Sequence, residues 1–277
     1  MNVLSLFDGM SCGQIALNKL GVKYDNYFAS EIDKYAIQVT QKNYPNTKQI
    51  GSVTEINGED LPNIDLLFGG SPCQSFSNAG NGKGFDGKSK LFWEYVRVLK
   101  ETKPTYFLLE NVVMKKEWEN VITEALGVKP IKIDSRIISG AKRPRLYWTN
   151  IPNIEQPIEK KVKLIDVLEN LNFDKEPYEE KYVSNKAVNY KSDKFNTLRA
   201  SAGSRTRGIG ICNDSGYWRK LTPIECERLH TVPDNYTESV SNSQRYKMIG
   251  NGWTVDVIAH LFSCLKLEIE RKERVLV

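Results

Sequence analysis

The chain has 277 residues, 40% hydrophobic and 26% charged, with a formal net charge of +5. That length suffices for one large domain, or one with a smaller lobe, and no apolar run reaches the 18 residues that a membrane span needs. Five scattered cysteines (Cys12, Cys73, Cys212, Cys226, Cys264), no CxxC pair and only two histidines, His230 and His260, exclude a disulfide framework and a zinc site; they point to a reducing, intracellular setting.

The opening MNVLSLFDG has no basic n-region and is not read as a signal peptide. Within it, VLSLF (3–7) is an apolar strand running into the turn FDGMSCG and a helix that carries Ile15, Leu17 and Leu20 and stops at Gly21. NYFASE (26–31) reads as a second strand, KQIGSV (48–53) as a weaker third and IDLLF (64–68) as a fourth. Past GGSPCQSFS (69–77), Ser89 caps a helix with Leu91, Phe92, Tyr95, Val96 and Leu99 at helical spacing. YFLLENV (106–112) is a fifth strand; IKIDSRIIS (131–139) and RLYWTNI (145–151) flank the turn AKRPR as a hairpin.

Continuous apolar strands alternating with helices predict an α/β fold: a doubly wound, Rossmann-like parallel sheet covered on both faces. Residues 1–151 plus 217–277 form its main unit. The segment 152–216 reads as charge-rich and irregular, apart from a short helix near LIDVLENL (164–171). From Lys181 to Arg207 it holds seven basic residues and one acid, Asp193, with Tyr182, Tyr190 and Phe195 between them; that mixture suits a phosphate-neutralising, base-contacting surface. Thr222-Pro223-Ile224-Glu225 is a capping box, and Ser241 with Gln244 offers a second. A last helix places Val255, Ile258, Leu261, Phe262 and Leu265 on one face, to pack back onto the first unit.

Ligands of such sheets bind beyond the carboxyl ends of the strands. Those ends are Asp8–Gly9, Glu31, Ser52, Ser71–Cys73 and Glu110–Asn111. The turn LFDGMSCG lies where a nucleotide-like cofactor sits, although it matches neither GxGxxG nor a P-loop; Glu31 is placed to accept hydrogen bonds from ribose hydroxyls. Adjacent strands four and five bring the thiol of Cys73 and the carboxyl of Glu110 to one place, with Arg143 and Arg145 as neighbours that favour a thiolate.

FDGMSCG, the acid of SEID, GGSPCQSFS, LLENV, KRPR and GNGWTV resemble, in order, the motifs of the cytosine-5 DNA methyltransferases. The likeness covers about 1–151 and 217–265 and looks nearest to small phage and bacterial members and to the catalytic domain of the eukaryotic de novo branch. It implies S-adenosyl-L-methionine as methyl donor, held by Phe7, Asp8, Gly9, Ser11, Cys12, Gly13, Glu31, Ile32, Ser52, Val53, Pro72, Asn251, Trp253 and Thr254. It implies Cys73 as the nucleophile that adds to carbon 6 of a flipped cytosine, Glu110 as the acid at N3, and Arg143 and Arg145 at the rim of the base pocket. NAGNGKGFDGKSK (78–90) looks like the loop that closes over the base. Ser75 and Lys83 near it, and Arg199, Arg205 and Arg207 in the 152–216 target-recognition region, are the expected DNA contacts.

The chain departs from the family pattern at Ser11–Cys12, at Ser52 and at Ala141. The expected partners are double-stranded DNA and, as a candidate, a cognate restriction endonuclease, with no metal and no membrane. The expected state is a monomer in the cytoplasm of a bacterium or phage-infected cell. Three alternatives stay open at this point: a transfer-RNA cytosine methyltransferase, a catalytically inactive DNA-binding paralogue, and a nicotinamide dehydrogenase, the last disfavoured by the missing GxGxxG.

Overall fold

The first apolar run folds as β1 (Asn2–Leu6), the third strand of a seven-stranded sheet. A computed structural model describes residues 1–72, 91–173, 187–200 and 210–275, with side chains to 271. The glycine turn leads to α1 (Cys12–Lys19), then come β2 (Asn26–Ser30), α2 (Lys34–Asn43), β3 (Lys48–Gln49) and β4 (Leu66–Gly69). They are followed by α3 (Leu91–Thr102), β5 (Tyr106–Val112), α4 (Lys116–Leu126), β6 (Ile131–Asp134) and β7 (Pro144–Thr149). The sheet order is β3-β2-β1-β4-β5-β7-β6, so the expected adjacency of strands one, four and five holds. All pairings from β3 to β5 are parallel; β7 runs antiparallel to both β5 and β6, which makes the expected hairpin real.

The strands read as continuous apolar runs because each face has its own cover. Val3, Leu66, Phe68 and Leu108 point into a core built with α1 and the C-terminal helix, while Leu4, Leu6, Leu67, Phe107 and Leu109 point into a second core with α3 and α4. That last helix, α7 (Val255–Val275), puts Val255, Ile258, Leu261, Phe262 and Leu265 at 0% exposure. Phe262 meets Phe68 of β4 with ring centroids 5.3 Å apart, and Lys19 of α1 pairs with Asp256 at 2.5 Å. The C-terminal helix therefore closes the N-terminal half of the sheet, as its apolar face predicts.

Four expectations need correction. β3 is two residues long, because Gly51 at φ 79° turns the chain before Ser52. The helix expected near 164–171 is a single 3-10 turn, Leu164–Val167. The stretch 152–216, expected to be irregular apart from that helix, contains two strands, β8 (Val188–Asn189) and β9 (Gly210–Cys212), which with β10 (Trp218–Lys220) just beyond it form a small separate sheet in the order β10-β9-β8. Ser241 precedes α6 (Asn242–Asn251) without a side-chain cap bond, whereas Thr222 and Glu225 form the full capping box of α5 (Pro223–Leu229). Ser89 lies outside the described residues.

Glu225 does more than cap. Its two oxygens take the Arg219 guanidinium of β10 at 2.7 and 2.8 Å, in a pair that is almost wholly buried. A bidentate pair of this kind fixes orientation as well as distance, and it ties the small sheet to the main unit.

Candidate functional site

Beyond Leu6 the backbone turns through three positive φ angles, 56° at Phe7, 60° at Gly9 and 64° at Ser11. For Phe and Ser this conformation costs on the order of 1 kcal/mol each, and hydrogen bonds hold it. The Asp8 amide donates to Ser30 O at 3.1 Å, and the Gly9 amide donates to Glu31 Oε2 at 2.7 Å. The other oxygen, Glu31 Oε1, accepts from the Ile32 and Asp33 amides at 2.7 and 2.8 Å. Glu31 is thus pinned at the end of β2, with Ile32 beside it 77% exposed, an apolar platform at the sheet edge.

The two glycines of the turn answer different needs. A Cβ on Gly9 would meet nothing within 4 Å, so the backbone lies open to a ligand, whereas a Cβ on Gly13 would lie 2.3 Å from the Phe68 ring. Gly13 therefore serves the packing of α1 on β4. Cys12 is buried, and burial pushes its thiol up to about 12, so it is a packing residue and no nucleophile. Ser52 shares a hydrogen bond of 2.7 Å with Thr54 Oγ1, and Val53 is buried beneath it.

Asp8 is the charged member of the turn. Its Oδ1 accepts from Tyr27 Oη at 2.7 Å, and its Oδ2 is buried with no hydrogen-bond partner among the described residues. Burial raises its pKa from 3.8 to about 6; hydroxyls of Ser5, Tyr27 and Ser11 oppose the rise and Glu31 adds to it. A folded-state pKa above the unfolded one means the folded protein holds this proton more tightly. Its contribution favours folding below about pH 4, declines as pH rises from 4 to 6, and is level above. Asp8→Asn is therefore expected to raise the melting temperature at pH 7.5, by an amount corresponding to at most roughly 3 kcal/mol, and to leave it unchanged near pH 4. Equal shifts at both pH values in a thermal melt would overturn this account.

At the ends of β4 and β5 a second group of residues meets. Glu110 is 8% exposed; its Oε1 pairs with Arg145 Nε at 2.8 Å and its Oε2 accepts from Trp253 Nε1 at 3.0 Å. The antiparallel register that sets Val112 opposite Arg145 brings the arginine to the carboxylate. Asn111, next on β5 and 1% exposed, donates to Ser71 Oγ at 3.1 Å and so holds the strand end that leads to Pro72. Reading the sequence gave Asn111 no role, although its place at a strand end beside GGSPC was a usable signal. Cys73, Ser75, Lys83 and the loop 78–90 lie outside the described residues.

Arg143 is placed differently from the expectation. It is buried, and its guanidinium donates to the backbone carbonyls of Leu198, Gly250 and Gly252 at 3.2, 3.3 and 2.7 Å. It braces the turn between α6 and α7, where Asn251 is exposed, Trp253 half-buried and Thr254 buried. Close by, His230 is 1% exposed; burial, with Arg143 and Arg145 adding to the effect, holds it well below its usual titration range and therefore neutral.

The turn 140–143 also holds residues 193–198. Phe195 N donates to Gly140 O at 2.7 Å, Lys142 N to Phe195 O at 2.9 Å and Thr197 Oγ1 to Lys142 O at 2.7 Å. Residues 193–198 thus lie along the arginine turn, over a polar cavity of about 490 Å³ lined by Arg136, Lys142, Asn189, Lys194 and Asn196 among others. Arg199 is exposed at the end of this segment, while Arg205 and Arg207 lie outside the described residues. Among the described residues no cluster of three or more His, Cys, Asp or Glu side chains is disposed to hold a metal, and no helix is long and apolar enough to cross a membrane.

Comparison with known proteins bears on this arrangement. Residues 1–125 and 139–266 match the sequence profile of the family described as C-5 cytosine-specific DNA methylase. The chain is 30% identical to the type II methyltransferase M.NlaX of Neisseria lactamica over 95% of this chain and 96% of that one. It is 29% identical to the type II methyltransferase M1.ScrFI of Lactococcus lactis subsp. cremoris, over 98% of this chain and 79% of that one. Among solved structures, Entamoeba histolytica methyltransferase EhMeth superposes with a TM-score of 0.78 at 20% identity, covering 97% of this chain and 98% of that one. S. pombe Dnmt2 does so with a TM-score of 0.73 at 17% identity, covering 97% and 99%.

Proposed function

Because the chain belongs to the C-5 cytosine-specific DNA methylase family and is a DNA cytosine methyltransferase, we propose that it acts on a cytosine flipped from duplex DNA, through a covalent bond to Cys73 with Glu110 as the acid. The observation that carries this reading is the meeting at one strand edge of Glu110 and Arg145, 2.8 Å apart, beside the Ser71–Pro72 segment that leads into Cys73.

The methyl donor is S-adenosyl-L-methionine, which supplies an electrophilic methyl group. The residues present fit it: Gly9 offers an open backbone, Glu31 a pinned carboxylate and Ile32 an exposed apolar face. Phe7, Asp8, Ser11, Ser52, Pro72, Asn251 and Trp253 complete the proposed donor site, while buried Cys12, Gly13, Val53 and Thr254 support it from beneath. With Ser52 engaged by Thr54, adenine recognition falls to Ile32 and to backbone groups.

Carbon 5 of cytosine is a weak nucleophile. Addition of the Cys73 thiolate to carbon 6 forms a C–S bond and drives an electron pair toward N3, where the Glu110 carboxyl delivers a proton. Carbon 5 of the resulting enamine would take the methyl group, the donor's sulfur keeping the bonding pair as it leaves. A base then removes the carbon-5 proton, the C5–C6 double bond re-forms, the C–S bond breaks to return the thiolate, and the proton on N3 returns to Glu110. Arg145 holds Glu110 in place throughout, and Arg143 acts at one remove by bracing the turn that carries Trp253. Residues 152–216, with Arg199, Arg205 and Arg207, are proposed to read the bases around the target, and Ser75 and Lys83 to contact DNA near the flipped base.

The test is transfer of tritium-labelled methyl from S-adenosyl-L-methionine to unmethylated genomic DNA, with nuclease digestion to identify 5-methylcytosine. Duplex DNA carrying 5-fluorocytosine at its cytosines should give a denaturation-resistant complex, because fluorine cannot leave as a proton does. Label that enters transfer RNA but not DNA, or a missing complex on active enzyme, would refute the reading.

A further inference from the structure

The sequence assigns Trp253 to the methyl donor, yet its only polar group points elsewhere. Indole Nε1 donates to Glu110 Oε2 at 3.0 Å, across 143 residues of chain. The other carboxyl oxygen is held by Arg145 Nε at 2.8 Å. The carboxyl group is therefore held from two separate elements, by an ion pair from β7 and by a hydrogen bond from the turn before α7. The Trp253 side has its own support. Trp253 leans on Phe68 with ring centroids 5.9 Å apart, and Arg143 clamps the preceding carbonyl, Gly252 O, at 2.7 Å.

Gly70 makes this arrangement sterically possible. A Cβ there would lie 2.9 Å from Glu110 Oε2 and 3.0 Å from Trp253 Nε1. It would intrude on the hydrogen bond from the side, against two groups that packing holds in place. Its φ is not in the left-handed region, so backbone conformation does not demand glycine at this position. The close approach does.

We propose that Trp253 is a positioning residue for the Glu110 carboxyl, with Gly70 as the opening that admits it. Through this one residue the turn that borders the methyl donor fixes the group that meets N3 of the target base. The inference rests on the proposed role of Glu110. An acid in the right place contributes about 10²–10⁴-fold, and a misplacement of about 1 Å costs on the order of 10²-fold. Loss of the indole N–H with the ring retained removes one of two restraints, so a decrease of about tenfold is expected.

The experiment measures kcat, and KM for S-adenosyl-L-methionine, on unmethylated genomic DNA for wild type, Trp253→Phe, Glu110→Gln and the double variant. Trp253→Phe is expected to lower kcat about tenfold while KM for the methyl donor changes less than about threefold, because the phenyl ring keeps the apolar face. In the Glu110→Gln background the same change is expected to have no further effect, since residues acting as a unit are non-additive. A Trp253→Phe enzyme within twofold of wild type, or losses that multiply in the double variant, would overturn the proposal. Should Trp253→Phe melt well below wild type, Gly70→Ala provides the second route, with the same loss and the same non-additivity expected. A wild type that transfers no methyl to cytosine would sink the functional reading itself; an active wild type with multiplicative losses sinks only the role of Trp253.

Discussion

Cys73→Ser is expected to abolish methyl transfer, by at least about 10²-fold, while S-adenosylhomocysteine still binds with an affinity close to that of wild type. A serine hydroxyl is far less ionised and far less nucleophilic than a thiol at neutral pH, so the addition that activates carbon 5 is lost. The donor site is built by other parts of the chain. The Asp8–Gly13 turn is held by Ser30 and Glu31, with α1 packed on β4 through Gly13, so removal of one sulfur at 73 leaves it in place. Calorimetric binding of the product beside a radiolabel assay separates the two effects. Methylation above a hundredth of wild type would remove the covalent mechanism, and a parallel loss of product binding would mean that Cys73 shapes the donor site instead.

Gly250→Ala is expected to be nearly as damaging to DNA methylation, for a steric reason that the sequence hides. A Cβ at this position of α6 would lie 2.3 Å from the carbonyl carbon of Arg199, 2.4 Å from its oxygen and 2.5 Å from the amide of Ala200. All three are backbone atoms, so no rotamer change relieves the overlap. Either α6 or the 193–200 segment must move, and with it the Leu198 carbonyl that Arg143 holds at 3.2 Å. Overpacking of this kind costs roughly 1–3 kcal/mol of stability, and displacement of the segment proposed to contact DNA is expected to cost on the order of 10²-fold in kcat/KM for DNA. Wild-type kcat/KM on genomic DNA would refute the proposed link between Gly250 and the recognition segment.

These two variants also mark where the sequence was legible and where it was not. β5 was legible throughout, because YFLLENV is covered on both faces and its composition is dictated along its whole length. α2 was not named in advance, because Lys34–Asn43 buries only Ala36, Val39 and Thr40 and shows little of an apolar stripe. The small sheet escaped notice because strands of two or three residues carry no period. Its position is set instead by long-range bonds, such as that from Arg219 Nη2 to the Asn170 carbonyl. In the site, Glu110 was legible as the end of a strand beside β4, and Arg145 as a neighbour in the AKRPR turn; their pairing comes from the β5–β7 register. Arg143 was expected to face the base and instead holds the carbonyls of Leu198, Gly250 and Gly252, partners that only the tertiary fold brings near it. The partnership of Trp253 with Glu110 had no sequence signal at all. Side-chain direction across 143 residues is a property of tertiary packing.

The helix that closes the sheet has a consequence for how the chain is made. Met1 packs on the same core cluster as Leu265 and Ile269, so β1 is completed by a helix that lies far later in the chain. Contacts of such long sequence separation form late, since loop closure precedes any gain from them. On a ribosome adding about 5–20 residues per second, β1 and β4 wait some ten seconds or more with the Phe68 face uncovered. During that interval the nascent chain exposes an apolar sheet surface, which is expected to bind chaperones until α7 covers it. Truncation within α7 would leave that surface permanently bare, so such a fragment is expected to accumulate as aggregate instead of as a weaker enzyme.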